Sequence, residues 1–404
     1  MSVLSGKKVL LGVTAGIAAY KSAWLVRCFI KAGAEVKVIM TPAAKDFVTP
    51  LTLSTLSKNE VLSTFTNDDE TDNPSWNNHV ELGLWADFFV IAPATANTLA
   101  KMSTGTCDNL LLATYLSAKC PVYFAPAMDL DMYKHKSTFE TFEKLQSFGN
   151  IMIPAAHGEL ASGLEGQGRM AEPEDIVAFI ENSYLEQLPL RRKKILLTAG
   201  PTYEAIDPVR FIGNHSSGKM GYALAEKALA LGAEVILVSG PTHLQLEDSR
   251  LTLIRVSSAQ EMYEAAQENF DQVDIMIAAA AVADYRPSNP EANKIKKKTA
   301  TLTLQLEPTI DILATLGKQK KDQFMIGFAL ETENELENAQ GKLQRKNLDM
   351  IVLNSLNDKG AGFQTETNKI TILHKSGDQI TFDLKSKKEV AADIIDQLIE
   401  KINA

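Results

Sequence analysis

Residues 207–221 read DPVRFIGNHSSGKMG, and their types and spacing fit an anion-binding loop. Gly213, Asn214, Ser216, Ser217 and Gly218 are small or polar, and two cations, Arg210 and Lys219, stand among them. Backbone can approach a ligand closely at such a run, and its unpaired N–H groups can meet phosphate oxygens. The run nearly spells a Walker A loop: Gly213, four residues, Gly218, Lys219. That loop needs Ser or Thr next, to hold a metal, and the residue here is Met220. It must also follow its strand directly, whereas the apolar stretch Lys194–Thr198 ends well before Gly213. A P-loop is therefore excluded and a phosphate-binding loop of another kind is expected. The plain alternative is a Gly/Ser turn ahead of a helix.

Two N-terminal segments could hold a second ligand. GVTAGIAAYK (12–21) links an apolar strand to a helix, and a helix N-terminus offers N–H groups and a positive dipole end to a phosphate. It is not GxGxxG, which argues against a dinucleotide. PATANT (93–98) follows the strand Phe88–Ala92, at the carboxyl edge where open α/β sheets bind ligands. Its hydroxyl and amide side chains suit a flat polar ring; the alternative is a proline-initiated turn with Asn97 as a helix cap.

The elements that position these segments repeat. KAGAEVKVIMTP (31–42) and ALGAEVILVSGP (230–241) each read as a helix end, a Gly–Ala turn and a buried strand. Each follows an earlier strand and helix: Lys8–Val13 with Ala18–Ile30, and Lys194–Thr198 with Gly221–Ala230. Two β–α–β openings predict an α/β chain of two doubly wound, Rossmann-like parallel-sheet domains. Further strands are expected at Val122–Ala125, Ile275–Ala279, Met325–Phe328 and Met350–Leu353. The linker lies around Asn182–Lys194, which gives domains 1–190 and 191–404.

Composition agrees. A chain of 404 residues is too long for one ordinary core. A net charge of −9 argues against a general nucleic-acid binder, so anions must meet local basic clusters. Cys28, Cys107 and Cys120 have no zinc-type spacing and cannot all pair, as expected of reduced thiols in a cytoplasmic protein. No uninterrupted apolar run is long enough to span a membrane.

TAGPT (198–202), the 207–221 run, AAVADYR (280–286) and KIKK (294–297) together resemble the phosphopantothenate–cysteine ligases. GVTAGIAAYK and PATANT resemble the FMN-binding flavoprotein cysteine decarboxylases, with Ala15 where glycine is usual. The likeness covers nearly the whole chain. In bacteria the two halves are commonly fused in one bifunctional protein of coenzyme A synthesis.

For the N-terminal half, the resemblance implies FMN contacts at Thr14, Gly16, Thr41, Ala94, Thr95 and Asn97, and a catalytic histidine at His79. The flavin oxidises the thiol-bearing carbon, carbon dioxide leaves, and the returned hydride yields a saturated thiol with no net redox change. The family's substrate motif is Pro-X-Met-Asn-X-X-Met-Trp, and residues 126–133 read PAMDLDMY. Asp129 thus replaces the asparagine that meets the substrate carboxylate, and an ionised Asp repels that group unless it is protonated or paired. In the lid segment GELASGLEGQGRM (158–170), Ser162 stands where a cysteine donates the last proton. A hydroxyl is a far weaker acid than a thiol. Glycines 158, 163, 166 and 168 suggest a mobile lid.

For the C-terminal half, the resemblance implies amide formation driven by CTP. Phosphopantothenate becomes an acyl-cytidylate with release of pyrophosphate, and the amine of cysteine then displaces CMP; the site needs cations, magnesium and oxyanion donors. Arg210 and Asn214 match residues that bind and orient the acyl intermediate. Lys294, opening KIKKK (294–298), matches a catalytic or nucleotide-binding lysine. Asp284 matches a base-contacting or magnesium-linked position. Ala278, Ala279, Ala280, Ile310, Asp311, Ile312, Leu313, Phe328, Lys342 and Lys346 match further CTP contacts, with Ile310 where proline is usual. Similar proteins form trimers through the flavin half and dimers through the ligase half. A homo-oligomer with a flavin site shared between subunits is implied.

Two functions are therefore open. One is a bifunctional enzyme performing both steps on 4′-phosphopantothenate, cysteine and CTP. The other is an active ligase whose flavin half, altered at Asp129 and Ser162, is impaired and serves an assembly or regulatory role. A nicotinamide-dependent dehydrogenase lacks its glycine fingerprint and paired ribose acid here.

Overall fold

In the computed structural model, which describes residues 2–66, 76–297, 301–331, 333–355 and 366–403, the chain divides into two units, Met1–Tyr184 and Leu185–Ala404. Lys298 of the lysine run lies outside the described residues.

The first unit carries β1 (Lys8–Val13), β2 (Glu35–Met40), β3 (Val61–Leu62), β4 (Phe88–Ala94), β5 (Val122–Pro126) and β6 (Ile151–Met152). They form one sheet in the order β3-β2-β1-β4-β5-β6, parallel throughout. Strand order reverses between β1 and β4, the switch point at which such sheets hold ligands. The helices are α1 (Ser22–Lys31), α2 (Pro50–Ser57), α3 (His79–Trp85), α4 (Ala96–Thr104), α5 (Leu110–Ser117), α6 (Leu130–Lys134), α7 (Lys136–Ser147) and α8 (Pro173–Leu185). Alternate strand residues feed opposite faces. Leu11 and Val90 pack with Leu25 of α1 and Ile176 of α8, while Leu10 and Phe89 pack with Leu99 of α4 and Leu111 of α5.

Residues 156–169 form an antiparallel hairpin, β7 (Ala156–Glu159) and β8 (Glu165–Arg169). The expected glycine-rich lid is thus a folded ribbon, and two of its glycines answer to packing. A Cβ on Gly166 would collide with Leu130 of α6. Gly168 has φ +144°, and a Cβ there would lie 2.5 Å from the Met128 carbonyl oxygen. That closeness lets the Met128 N–H donate to the Gly168 carbonyl at 3.0 Å. Gly168→Ala should therefore destabilise the N-terminal unit by about 1–3 kcal/mol. Denaturant unfolding read from the tryptophan signal tests this, and an unchanged midpoint would show that the ribbon is loosely held.

The second unit begins with β9 (Lys194–Ala199), β10 (Tyr203–Ala205), β11 (Phe211–Gly213), α9 (Lys219–Ala230), β12 (Glu234–Ser239), β13 (Leu251–Arg255), α10 (Ala259–Phe270), β14 (Ile275–Ala278), β15 (Tyr285–Pro287) and β16 (Leu306–Pro308). It continues with α11 (Ile312–Gln319), β17 (Phe324–Glu331), α12 (Glu335–Arg345), β18 (Met350–Ser355), β19 (Thr367–Asn368), β20 (Ile370–His374), β21 (Gln379–Thr381), β22 (Lys385–Ser386) and α13 (Lys387–Ile402). Its main sheet has the order β13-β12-β9-β14-β17-β18-β20-β21. The first six are parallel, but β20 and β21 add antiparallel, so the sheet is mixed at one edge. The unit starts before residue 191 because Leu190 is fully buried among Ile195, Leu224 and Leu229 of this core.

Candidate functional site

A cavity of about 470 Å³ lies at the carboxyl ends of β9, β14, β17 and β18. Strand order reverses between β9 and β14, so this too is a switch point. One wall is the alanine run Ala278–Ala280, whose small side chains leave backbone accessible. Ile310, Asp311, Ile312 and Leu313 line it from the start of α11, Phe328 from β17, and Lys342 and Lys346 from α12 and its end. Asp284 and Asn214 complete the same lining, with Ser216–Gly221 at the start of α9.

Hydrogen bonds lock the sequence motifs together. The Ala280 N–H donates to Thr198 Oγ1 at 3.3 Å, and the Ala283 N–H to Thr202 Oγ1 at 2.9 Å. Asn214 Nδ2 donates to the carbonyls of Ala281 (3.2 Å) and Val282 (3.0 Å). The Asn214 amide therefore fastens the alanine loop as well as facing the cavity. Among the described residues no side chain caps α9, whose N-cap is Gly218 at φ 78°, and its first N–H groups are open to a ligand. The hairpin β10–β11 stands between β9 and α9, a connection no P-loop has.

Charge in the cavity is arranged by α11 and α12. The Lys342 ammonium donates to the Phe328 carbonyl at 2.6 Å, and burial, then repulsion from Lys346, lower its pKa. Lys346 pairs with Asp311 at 2.7 Å. Burial pushes the Asp311 carboxyl up, but hydrogen bonds from Lys346 and the Ala314 N–H outweigh it and leave the group below its ordinary value.

Arg210 and Lys294 do not line this cavity. Both are exposed, and a residue that sequence reasoning missed connects them. The Asp207 side chain is fully buried and accepts hydrogen bonds from the N–H groups of Val209 (2.8 Å), Arg210 (2.9 Å) and Ile295 (3.0 Å). It also pairs with the Arg210 guanidinium, and Arg210 donates to the Ile295 carbonyl at 3.0 Å. The Arg210 hydrogen bond foremost, with these backbone donors, holds the Asp207 carboxyl far below the usual carboxylate range. The segment carrying Lys294 is thereby stapled beside Arg210.

In the N-terminal unit a cavity of about 570 Å³ is lined by Ala15, Thr41, Thr95, Asn97, Met128 and Met132, among others. Thr41 Oγ1 is buried and has no partner among the described residues. The N-cap of α4 is Thr95 rather than Asn97, and no side chain caps that helix. Gly16 opens a 3₁₀ turn that also lacks a side-chain cap. Thr14 and Ala94 are fully buried and do not line the cavity. Thr14 Oγ1 donates to the Pro93 carbonyl at 2.7 Å and accepts from the Thr95 N–H at 3.1 Å, tying the first turn to PATANT. Lys21 is buried against Glu172 at 2.8 Å, which leaves backbone, not this cation, for an anion at the turn.

His79, Asp129 and Ser162 are absent from that lining. His79 opens α3, edge-on to Trp76 (ring centroids 5.7 Å apart) and Phe65 (6.3 Å). Its Nδ1 is buried without a partner among the described residues. Asp129 is the N-cap of α6 but makes no side-chain capping bond. Ser162 sits exposed in the β7–β8 turn, its Oγ accepting from the Leu164 N–H at 3.4 Å. One chain does not gather these three residues at the cavity.

Two switch-point cavities, one in each α/β unit, mark a two-domain ligand-binding protein. Residues 2–185 match the family described as Flavoprotein, and residues 190–402 the family described as DNA/pantothenate metabolism flavoprotein C-terminal domain. The chain is 53% identical over 361 residues to a cysteine/cysteine sulfinic acid decarboxylase of an unknown prokaryotic organism, covering 88% of this chain and all of that protein. It is 44% identical over 398 residues to the coenzyme A biosynthesis bifunctional protein CoaBC of Bacillus subtilis strain 168, covering 98% of this chain and 97% of the relative. A crystal structure of the C-terminal domain of a coenzyme A biosynthesis bifunctional protein CoaBC aligns with TM-score 0.46 and 47% identity, covering 53% of this chain and 98% of that one. The chain belongs to the family of bifunctional coenzyme A biosynthesis proteins. It is a bifunctional enzyme, with a flavoprotein decarboxylase half and a ligase half.

No helix among the described residues is long and apolar enough to cross a membrane. No group of three His, Cys, Asp or Glu residues among them could hold a metal ion. The three cysteines are free thiols.

Proposed function

We propose that the C-terminal unit joins 4′-phosphopantothenate to cysteine at the expense of CTP, and that the N-terminal unit then removes the cysteine carboxylate with FMN, giving 4′-phosphopantetheine. The observation that carries the reading is the convergence of Asn214, Asp284, Lys342 and Lys346 on one switch-point cavity.

The acid's carboxylate attacks the α-phosphorus of CTP, forming the acyl-cytidylate and expelling pyrophosphate. The amine of cysteine then attacks the acyl carbon and CMP leaves. Lys342 and Lys346 meet nucleotide charge, and Ala278–Ala280 offers backbone to the base or ribose. Asp311 is engaged by Lys346, so Asp284 is the cavity carboxylate left for magnesium. A single carboxylate suffices where phosphates and water supply the other ligands. When bound, the ion neutralises charge on the departing pyrophosphate. Asn214 donates to the acyl oxygen by releasing one loop carbonyl, and the Asp207 staple presents Arg210 and Lys294 together.

FMN fits the N-terminal cavity, because among the described residues Thr41 Oγ1 lacks a partner and no side chain caps the turns at Gly16 and Thr95. When bound, FMN supplies a reversible hydride acceptor at the thiol-bearing carbon. His79 moves the proton, Asp129 meets the substrate carboxylate once it is protonated or paired with a cation, and Ser162 stands in the lid turn as the closing donor. A homo-oligomer, trimeric through this unit and dimeric through the ligase unit, supplies His79 to a neighbouring cavity.

The 53% identical relative favours one other substrate for the flavin half, free cysteine or its sulfinic acid. Purified protein given phosphopantothenate, cysteine, CTP and magnesium decides. Release of CMP and pyrophosphate, followed by CO₂ and phosphopantetheine, supports the proposal. CO₂ from cysteine alone selects the other substrate, CMP without CO₂ marks an impaired flavin half, and absence of CMP refutes the ligase assignment.

Lys342 also sets a pH dependence. Its free-state pKa is depressed, and an anion beside it restores the charged form. The nucleotide complex then binds more protons than the free protein at alkaline pH, so CTP affinity should fall as pH rises through the free-state value. Calorimetry in buffers of different ionisation heat should detect proton uptake there. Equal heats in all buffers would place Lys342 away from the phosphates.

A further inference from the structure

We infer that Lys21 is a positioning residue of the flavin half: with Glu172 it fastens the ribbon β7–β8 to the turn 12–21, so that a cofactor seated on the turn steadies the ribbon. The inference rests on the FMN reading above and deepens it, giving a role to a cation that the reading leaves unused.

Lys21 closes the 3₁₀ turn that Gly16 opens, and it is the N-cap of α1. A cation there meets the positive end of the helix dipole, and Lys21 is only 6% exposed. Such a charge is costly unless it is paired and hydrogen-bonded. Its Nζ donates to the Met170 carbonyl at 3.1 Å and to Glu172 Oε1 at 2.8 Å. Both acceptors lie just past the end of β8, 149 and 151 positions along the chain. The Lys21 hydrogen bond foremost holds the Glu172 carboxyl below its ordinary value. An ion pair with one buried member adds little net stability, and its value here is in fixing which segments meet.

The connection continues into the ribbon. Glu172 Oε1 also accepts from Arg169 Nη2 at 2.9 Å. Arg169 ends β8, and its Nη1 lies 3.6 Å from where a Cβ on Gly158 of β7 would stand. A chain of contacts thus runs from Lys21 through Glu172 and Arg169 to Gly158, reaching both strands.

The ribbon has a second anchor, the bond from the Met128 N–H to the Gly168 carbonyl. Met128 lines the flavin cavity, and so does Ala15 at the head of the turn. The ribbon is therefore clasped between two segments that face the same ligand space. Its outer turn, which carries Ser162, is closed by the Leu160 N–H donating to the Leu164 carbonyl at 2.8 Å. A ligand that orders the turn in the conformation reaching Glu172 orders the ribbon as well, and the coupling is reciprocal.

The rival roles for Lys21 are direct contact with the FMN phosphate and a purely structural pair. Amide hydrogen exchange of residues 157–165 is followed with and without FMN in wild type and Lys21→Met. Glu172→Gln, at a position 44% exposed, serves should the first variant fail to fold. Fluorescence titration gives the FMN and riboflavin affinities of each. The expected result is that FMN slows ribbon exchange about 10-fold in wild type and leaves it unchanged in the variants. The wild-type preference for FMN over riboflavin should persist in both. Undiminished FMN protection of the ribbon in a folded variant would overturn the inference. Collapse of the FMN preference in Lys21→Met would assign the ammonium to the phosphate and overturn it too. Wild type that binds FMN without any change in ribbon exchange overturns the inference alone, whereas wild type that takes up no FMN refutes the cofactor reading and the inference with it.

Discussion

Asn214→Ala should lower amide formation by about 10²- to 10³-fold while the protein stays yellow. The side chain is small and neutral, and its Nδ2 lies within 3.2 Å of both the Ala281 and Val282 carbonyls. Removing it takes away a donor for charge developing on the acyl oxygen, and it unfastens the loop that carries Ala278–Asp284. These effects separate kinetically. Loss of the loop contact weakens CTP binding and raises its KM, whereas loss of the oxyanion donor lowers kcat. Quenched-flow detection of the acyl-cytidylate adds a third view, since a donor that serves the second step lets the intermediate accumulate. Unimpaired ligation by the alanine variant would remove Asn214 from the chemistry.

His79→Ala should reduce CO₂ release by about 10²- to 10⁴-fold and leave CMP release at the wild-type rate. The imidazole is held edge-on by Trp76 and Phe65, and its Nδ1 has no partner among the described residues. A half-buried ring with an unengaged nitrogen is equipped to exchange a proton with a ligand. The two units divide the chain cleanly, which is why the ligase serves as the internal control. The assay starts from preformed phosphopantothenoylcysteine, so CO₂ does not depend on ligation. Unchanged CO₂ release would exclude His79 as the proton carrier.

The strand–helix repeats were legible because their signals are local. Lys8–Val13 emerges as the strand read from its apolar run, and the Gly–Ala turns lead into Glu35–Met40 and Glu234–Ser239. The antiparallel strands β20 and β21 were not foreseen, since short strands such as Gln379–Thr381 carry too few apolar residues to declare themselves. Apart from Arg210 and Lys294, the residues matched through resemblance in the C-terminal half, down to Lys342 and Lys346, line one cavity. Asp207, Thr198 and Thr202 were missed as site residues, because their importance lies in bonds to residues some 80 positions away in sequence. Lys387, which lines the same cavity, had one usable signal, the Ser386–Glu389 capping box, which marks a helix start but not what it faces. His79, Arg210 and Lys294 expose the limit of motif matching. A motif names a residue's type and place in the chain, and neither says which cavity it reaches.

The Asp207 carboxylate grips the Ile295 N–H across 88 positions of chain. Exchange of parts between relatives must respect that bond. A chimera that imports residues 207–214 without 294–297, or the reverse, joins halves adjusted to different partners. Transplanted as one block, the two stretches carry their shared anchor with them, and that pairing is the smallest portable module for redesigning this end of the enzyme.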